Sequence, residues 1–474
     1  MAAFILLALW CFSHRRVDHS LAALGLYLGL LDGYVKLRTG SPLVTLGRDV
    51  LVAAIAGGAL LRSLSSRQPL PLPPLGGLVL GFAAVVMIEM FNPSAPGSIQ
   101  SLAGVRQHLE FVPLFFLGFA FIRHESQVRT LAMILVICAA AGGVVSLVQS
   151  LLTPEQLAQW GPGYRERIYG TGAFTGAGRV ALDAAGNAAV RPFGLGSEAG
   201  GGASAAALAL PALIALVMNA GRRFPLIYLP LAVGIALAVV TSGSRAATVA
   251  VVLSVVAFAV IAAVSRNAVR VMVGLAIASV LIVAVFQQVS PGNAAKNRVE
   301  SVTPSKISST FSQERGSTLK TFGRYAQAYP LGVGIGTVGP AAAVSGERNT
   351  AVLDAETLWN FLIIETGLPG LALIVALLLR MMWIALVRIR HSPDPKMRLY
   401  LAALAAPLFG LAAAGFAGPT TISVPSAPFL WFVAGILSYW LMRRPDSHGR
   451  PPPALVQARG YREPPMRPLP AHVA

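Results

Sequence analysis

The strongest constraint on this chain is a succession of apolar runs, each about as long as a bilayer is thick, separated mostly by short basic loops. A helix needs roughly 17 to 25 apolar residues to cross hydrocarbon, because each residue advances only about 1.5 Å. By that measure the runs near 20–34, 47–62, 74–91, 105–122, 128–151, 201–219, 224–241, 245–265, 268–288, 356–379, 399–417 and 427–443 predict about twelve spans. A short apolar run at 1–12 leaves the count open by one on either side, so 11–13 is the expected range. Composition agrees: 55% of the residues are hydrophobic and 12% charged, against about 25% charged in a soluble domain, and the mean hydropathy is +0.68. The predicted fold class is an all-α polytopic membrane protein. Residues 1–12 lack a basic leader and run into Ser13-His14-Arg15-Arg16, so this run is expected to stay attached rather than act as a cleaved signal.

The runs divide the chain into N-terminal helices (1–151), a polar loop (152–200), central helices (201–288), a large loop (289–355), C-terminal helices (356–443) and a tail (444–474). Both long loops are rich in Gly and Ser, too long for simple turns, and expected to be partly folded. The tail, with Pro451-Pro452-Pro453 and Pro464-Pro465, cannot continue a helix and is expected to be disordered. Net charge is +18, and the cations in short loops set orientation. Arg62/Arg67, Arg123/Arg129, Arg222/Arg223, Arg266/Arg270, the group from Arg380 to Arg398, and Arg443/Arg444 with Arg450 fall on one side, which predicts the cytoplasm. Loops 152–200 and 289–355, the turn 242–244 and loop 418–426 then face outward; Lys36, Arg38 and Arg48 run against the bias. The excess positive charge implies contact with anionic membrane lipids. No basic-aromatic module points to nucleic acid. Cys11 and Cys138 both lie within apolar runs and read as small core residues.

No metal-ligand cluster, Walker loop or nucleotide fingerprint occurs, and Gly332-Val-Gly-Ile-Gly336 is too short for a dinucleotide site. The informative residues are basic and face outward. Thr241-Ser242-Gly243-Ser244 forms a turn between two apolar helices, with Ser244 as N-cap, so the next helix presents free N–H groups and its positive dipole end beside Arg245. That combination makes an anion site, although an arginine there also suits simple snorkelling to the interface. Arg191 lies in the loop before the helix near 201, where a solvated arginine is equally ordinary. Arg315 and Lys320 open an amphipathic helix across 314–328, ended by Pro330 and a glycine-rich turn; a solvated helical face accounts for them too. Glu356 stands where the outer loop enters a membrane helix, a costly place for an unpaired carboxylate. Asp354 competes with it as the acid and suits a helix cap. Glu365, deeper in the run, suits a hydrogen bond to a neighbouring helix.

These segments, in this order, resemble the O-antigen ligase and polysaccharide polymerase family of bacterial inner membranes. The matching features are Ser244-Arg245 before an apolar helix; Arg315 followed by Pro330, Leu331, Gly332, Gly334 and Gly336; and Glu365, Gly367, Leu368 and Gly370. The segment from Arg191 through Leu216 is similar to a further motif of the family, here without its Pro-Asn pair. The resemblance covers roughly residues 190–375 at motif level. One departure is Glu356-Thr357, where many ligases of the family carry His-Asn. A histidine titrates near neutrality, whereas glutamate, ordinarily near pKa 4.3, needs burial or a bonded partner to act as a base. The departure favours the polymerase branch.

The resemblance implies a GT-C-like glycosyltransferase architecture and glycosyl transfer on the periplasmic face. The donor would be a glycan on polyprenyl (undecaprenyl) diphosphate and the acceptor a sugar hydroxyl, with no metal or other cofactor. On this reading Arg245, Arg191 and Arg315 clamp the diphosphate and Glu356 takes the acceptor proton, so that a single displacement inverts the sugar carbon; Ser244, Asp354, Lys320 and Glu365 support the site. A flippase and a chain-length regulator are the expected protein partners of a polymerase. The rival activities are ligation of glycan to lipid A core, transport or flipping of polysaccharide, and a non-catalytic scaffold. A transporter should show repeated halves and ionisable groups near the midplane, and beyond Glu365 no such pair is legible in the sequence.

Overall fold

A computed structural model of the chain describes residues 2–67, 70–170, 180–182, 188–198, 200–220, 226–242, 244–262, 316–342 and 357–442. The predicted span 268–288, most of loop 289–355, the tail 444–474, and Arg315, Asp354 and Glu356 lie outside the described residues. The chain opens with α1 (Ala2–Ser13), α2 (Val17–Leu26), a π-helical stretch (Tyr27–Leu31), α3 (Asp32–Thr39), α4 (Pro42–Ser65) and α5 (Gly76–Glu89). There follow α6 (Ser98–Leu109), α7 (Val112–Phe121), α8 (Glu125–Ser150), α9 (Pro154–Ala158) and α10 (Pro162–Tyr169). Two three-residue strands, β1 (Val180–Leu182) and β2 (Ala188–Val190), pair antiparallel. Then come α11 (Gly201–Ala220), α12 (Tyr228–Ser242), α13 (Arg245–Ala262), α14 (Gly316–Ala328), α15 (Gly339–Ala342), α16 (Leu358–Arg388), α17 (Pro395–Ala405), α18 (Pro407–Ala414) and α19 (Ser426–Met442).

Every predicted apolar run within the described residues falls on helix. By length and apolarity alone, six helical stretches among the described residues are able to cross a membrane: Val17–Thr39, Glu125–Ser150, Gly201–Ala220, Arg245–Ala262, Leu358–His391 and Pro395–Ala414. The remaining apolar helices are shorter or broken, and the breaks have local causes. Pro113 starts α7 just after the break at Glu110–Phe111, so 105–122 is two helices rather than one. Pro407 divides α17 from α18. In α16 the backbone turns at Gly367, with φ +63°, two residues before Pro369.

Contacts between termini sort the helices into two ends. At one end Gln127 donates to Asp18 (3.1 Å), Arg62 to the Phe12 carbonyl (2.7 Å) and Trp440 to the Ile122 carbonyl (3.2 Å). This end carries Arg62, Arg123 and Arg388, the last bonded to the Leu441 carbonyl. At the other, Leu358 N–H bonds the Gly415 carbonyl (2.8 Å) and Ile335 N–H bonds the Glu89 carbonyl (3.3 Å). Loop helices α9 and α10 also sit at this second end, where Arg38 bonds the Trp160 carbonyl.

Arg38 and Arg48 therefore defy the loop-charge pattern because each has a fixed partner. Arg48 lies among Glu110 (2.8 Å), Asp32 (3.6 Å) and Asp49 (3.8 Å), and Arg106 pairs with Asp49. This buried group corrects the expectation that Glu365 has no ionisable company between the helices. Its members come from α3, α4, α6 and the α6–α7 break, so no local pattern announces them. Asp32 and Glu110 are almost wholly buried; removing Arg48 strands them and is the kind of change that costs about 3–5 kcal/mol.

Candidate active site at the loop end of the bundle

Arg245 is the first residue of α13 and is partly buried. Ser244 caps that helix: its hydroxyl accepts from Ala247 N–H (3.4 Å) and its carbonyl from Thr248 N–H (3.0 Å). The helix thus begins with its positive end beside the guanidinium, as an anion site requires. Arg191 is exposed on the segment that leads into α11. That segment folds back on itself, with Gly200 N–H bonding the Pro192 carbonyl (2.9 Å). Gly200 has φ +81°, and a Cβ there would sit 3.1 Å from the Ser244 Cβ. The loop carrying Arg191 and the helix start carrying Arg245 are therefore packed together.

One amide holds this loop from beneath. Buried Gln149, near the end of α8, accepts from Phe193 N–H and Gly194 N–H (both 2.8 Å) and donates to the Gly194 carbonyl (3.0 Å). Glu198 pairs with Arg167 of α10, and Gly33 of α3 lies so close that a Cβ would meet the Leu195 carbonyl at 2.3 Å. A cavity of about 140 Å³ opens below, lined by Gly25, Gly29, Ile134, Leu195, Gly201 and Phe432 among others. Its lining is overwhelmingly apolar, with Asp32 and Ser197 among the few polar residues.

The Pro330–Gly336 turn is held by a second device. Glu365, fully buried in α16, accepts from Gly336 N–H and Val338 N–H (both 3.1 Å) through one oxygen and bonds His108 Nε2 (2.7 Å) through the other. Gly336 has φ +83°, and a Cβ there would lie 2.2 Å from the Gln100 carbonyl, so only glycine lets the turn seat on α6. His108 packs against the rings of Phe82 and Phe361. Lys320 is exposed on α14, which is tied to α16 by the Asn360–Thr321 side-chain bond (3.0 Å). The cap of α16 is Thr357, whose hydroxyl accepts from Asn360 N–H (3.2 Å), so the capping expected of Asp354 falls to Thr357.

The structure thus joins Arg191, Ser244 and Arg245, carries Lys320 on a neighbouring helix, and turns Glu365 inward to its own hydrogen bonds. Sequence reasoning overlooked Gln149 and His108. Gln149 lies near the end of an apolar run, where a polar group is costly unless bonded, and that cost was the available signal. His108 sits among Arg106, Gln107 and Glu110 and does not stand out from its neighbours. Among the described residues no cluster of three His, Cys, Asp or Glu is placed to hold a metal.

Apolar helices capped at one end by glycine-rich loops, cations and a helix start define a polytopic membrane protein with a polar site at one face. Residues 230–375 match the family model described as O-Antigen ligase. The matched stretch runs from α12 into α16 and includes Ser244, Arg245, the Pro330–Gly336 turn and Glu365. Over that stretch the chain is similar to the O-antigen ligase family. No curated protein and no solved structure matches the chain.

Proposed function

We propose that the chain joins glycan units carried on polyprenyl diphosphate, as an exopolysaccharide or O-antigen polymerase of the inner membrane whose loop end faces the periplasm, in a GT-C-like architecture. The observation that carries this reading is the approach of Gly200 to Ser244, which packs the Arg191 loop, whose Leu195 and Gly196 line an apolar cavity, against the Arg245 helix start. A diphosphate needs its developing negative charge neutralised as it leaves. Fixed guanidinium groups and a helix N-terminus supply that without a metal. The cavity below suits the first isoprene units of the carrier. Arg191 and Arg245 bind the diphosphate, with Arg315 and Lys320 as further cations. Glu356, next to the Thr357 cap, takes the proton from the acceptor hydroxyl; the oxygen attacks the anomeric carbon from the face opposite the diphosphate, and the configuration inverts.

Two other readings each have a supporting observation. The description of the matched family favours ligation of the glycan to lipid A core. The buried group around Arg48 provides the inter-helical charges a transporter would have, although these are paired and held.

Reconstituted protein given purified lipid-linked oligosaccharide decides among them. A polymerase yields a ladder of longer lipid-linked products, a ligase a single transfer when lipid A core is added, and a transporter no new covalent product. Arg245→Ala is expected to lower transfer by about a hundredfold or more while the protein remains inserted and folded. Full activity in that variant would remove the diphosphate clamp. Glu356→Gln should be similarly inactive; normal turnover there with loss in Asp354→Asn would move the base.

A further inference from the structure

Beside the Arg191 loop lies a second opening, about 420 Å³, lined by Tyr34, Arg38, Val145, Trp160 and Leu195. Leu195 also lines the apolar cavity, so the two spaces meet across the same loop. The new opening is unlike the first: two aromatic rings and a guanidinium stand around it. Trp160, between α9 and α10, is only partly buried, and its orientation is fixed from behind. Its ring meets Tyr164 edge-on at 5.8 Å, and Tyr164 meets Phe193 in the same way at 5.6 Å. These two belong to a small core of their own with Leu37, Leu157, Ile168 and Val190. From the front, the Trp160 carbonyl accepts from Arg38. The next turn is seated on the end of α3 by glycine, since a Cβ on Gly161 would meet the Arg38 carbonyl at 2.4 Å.

An aromatic belt at a membrane interface would account for a tyrosine and a tryptophan at this level. It does not account for a loop core and a glycine turn that pin one tryptophan beside an arginine at an opening. A sugar ring offers axial C–H groups to an aromatic face and hydroxyls or carboxylates to a guanidinium, and a platform fixed beforehand loses little entropy on binding.

We infer that Trp160, Tyr34 and Arg38 form a glycan subsite that holds a sugar of the lipid-linked chain beside the diphosphate position. This rests on the proposed glycosyl transfer. It assigns the ligand class as oligosaccharide and gives the α9–α10 loop a role in substrate binding.

The test uses the full-length protein in lipid nanodiscs. The probe is the oligosaccharide released by mild acid from the lipid-linked donor of the cells that carry this chain, fluorescently labelled at its reducing end. Binding is followed by thermophoresis for wild type, Trp160→Phe, Trp160→Leu and Arg38→Ala. Trp160→Phe should bind within about threefold of wild type. Trp160→Leu keeps apolar packing on Tyr164 but has no aromatic face, and should bind about tenfold more weakly or worse. Arg38→Ala should weaken binding as well. Equal binding by wild type and Trp160→Leu overturns the subsite and leaves the transfer reading intact. No binding by wild type, with Arg245-dependent transfer still present, overturns it in the same way. Absence of both binding and transfer brings down the function and the subsite together.

Discussion

Two glycine-rich loops at the same end of the molecule are held by the same device in different chemistry. The loop 192–200 is tied by Gln149, a neutral amide that serves two N–H groups and one carbonyl. The turn 330–338 is tied by Glu365, which serves two N–H groups and the His108 ring. The difference follows from what each loop offers. The first presents both donors and an acceptor, and only an amide both accepts and donates. The second presents donors alone, so a carboxylate fits, and it is tolerable in so buried a place because all three bonds converge on it. The first loop carries an exposed arginine to the rim; the second closes in on itself and leaves its carboxylate unavailable to a substrate.

Truncating either tie breaks the comparison most severely. Glu365→Ala leaves the Gly336 and Val338 N–H groups buried without their acceptor, and His108 without its carboxylate. At about 1–3 kcal/mol for each of these three groups, the loss should be at least about 3 kcal/mol, read as a large fall in the midpoint of thermal unfolding in detergent. An unchanged midpoint would mean the turn is held by its backbone contacts alone.

A swap of chemistries sharpens the contrast. Gln149→Glu sets a carboxylate against the Gly194 carbonyl and should destabilise by about 2–4 kcal/mol, with transfer falling because Arg191 loses its placement. Glu365→Gln keeps an oxygen for the two N–H groups and offers an N–H to His108 Nε2 in its other tautomer, so about 1 kcal/mol or less is expected. If the two swaps cost the same, the distinction between the ties fails.

A milder effect than either truncation belongs to the joint between the Arg191 loop and the Arg245 helix. Gly200→Ala places a methyl beside Ser244 at a left-handed position, a cost of about 1–2 kcal/mol. Transfer should fall several-fold at most, as a change in KM for the lipid-linked donor with little change in kcat. A fall in kcat alone would show that Gly200 does not set the diphosphate position.

Much of this was legible in the residues. Ser244 capping a helix that starts at Arg245, the amphipathic helix ended by Pro330, the burial of Glu365 and the orienting basic loops all follow from local rules of capping, periodicity and loop charge. The partner of Glu365 was not legible, because His108 lies 257 residues away on a helix that no spacing connects to it. The Arg48 group was missed for the same reason: Glu110 is 62 residues from Arg48, and only the packing of α4 against the α6–α7 break brings them together.

By itself the sequence determined that the chain is a set of apolar helices, where along the chain they lie, and which loops carry the cations. Helix formation and capping depend on neighbours within a turn or two. The tertiary structure decided that the loop after Arg191 packs on the start of the Arg245 helix, that Gln149 and Glu365 each hold a loop, and that Trp160 stands at an opening. Those outcomes depend on which helix faces press together, and a buried hydrogen bond is made by whichever partner packing delivers to within about 3 Å.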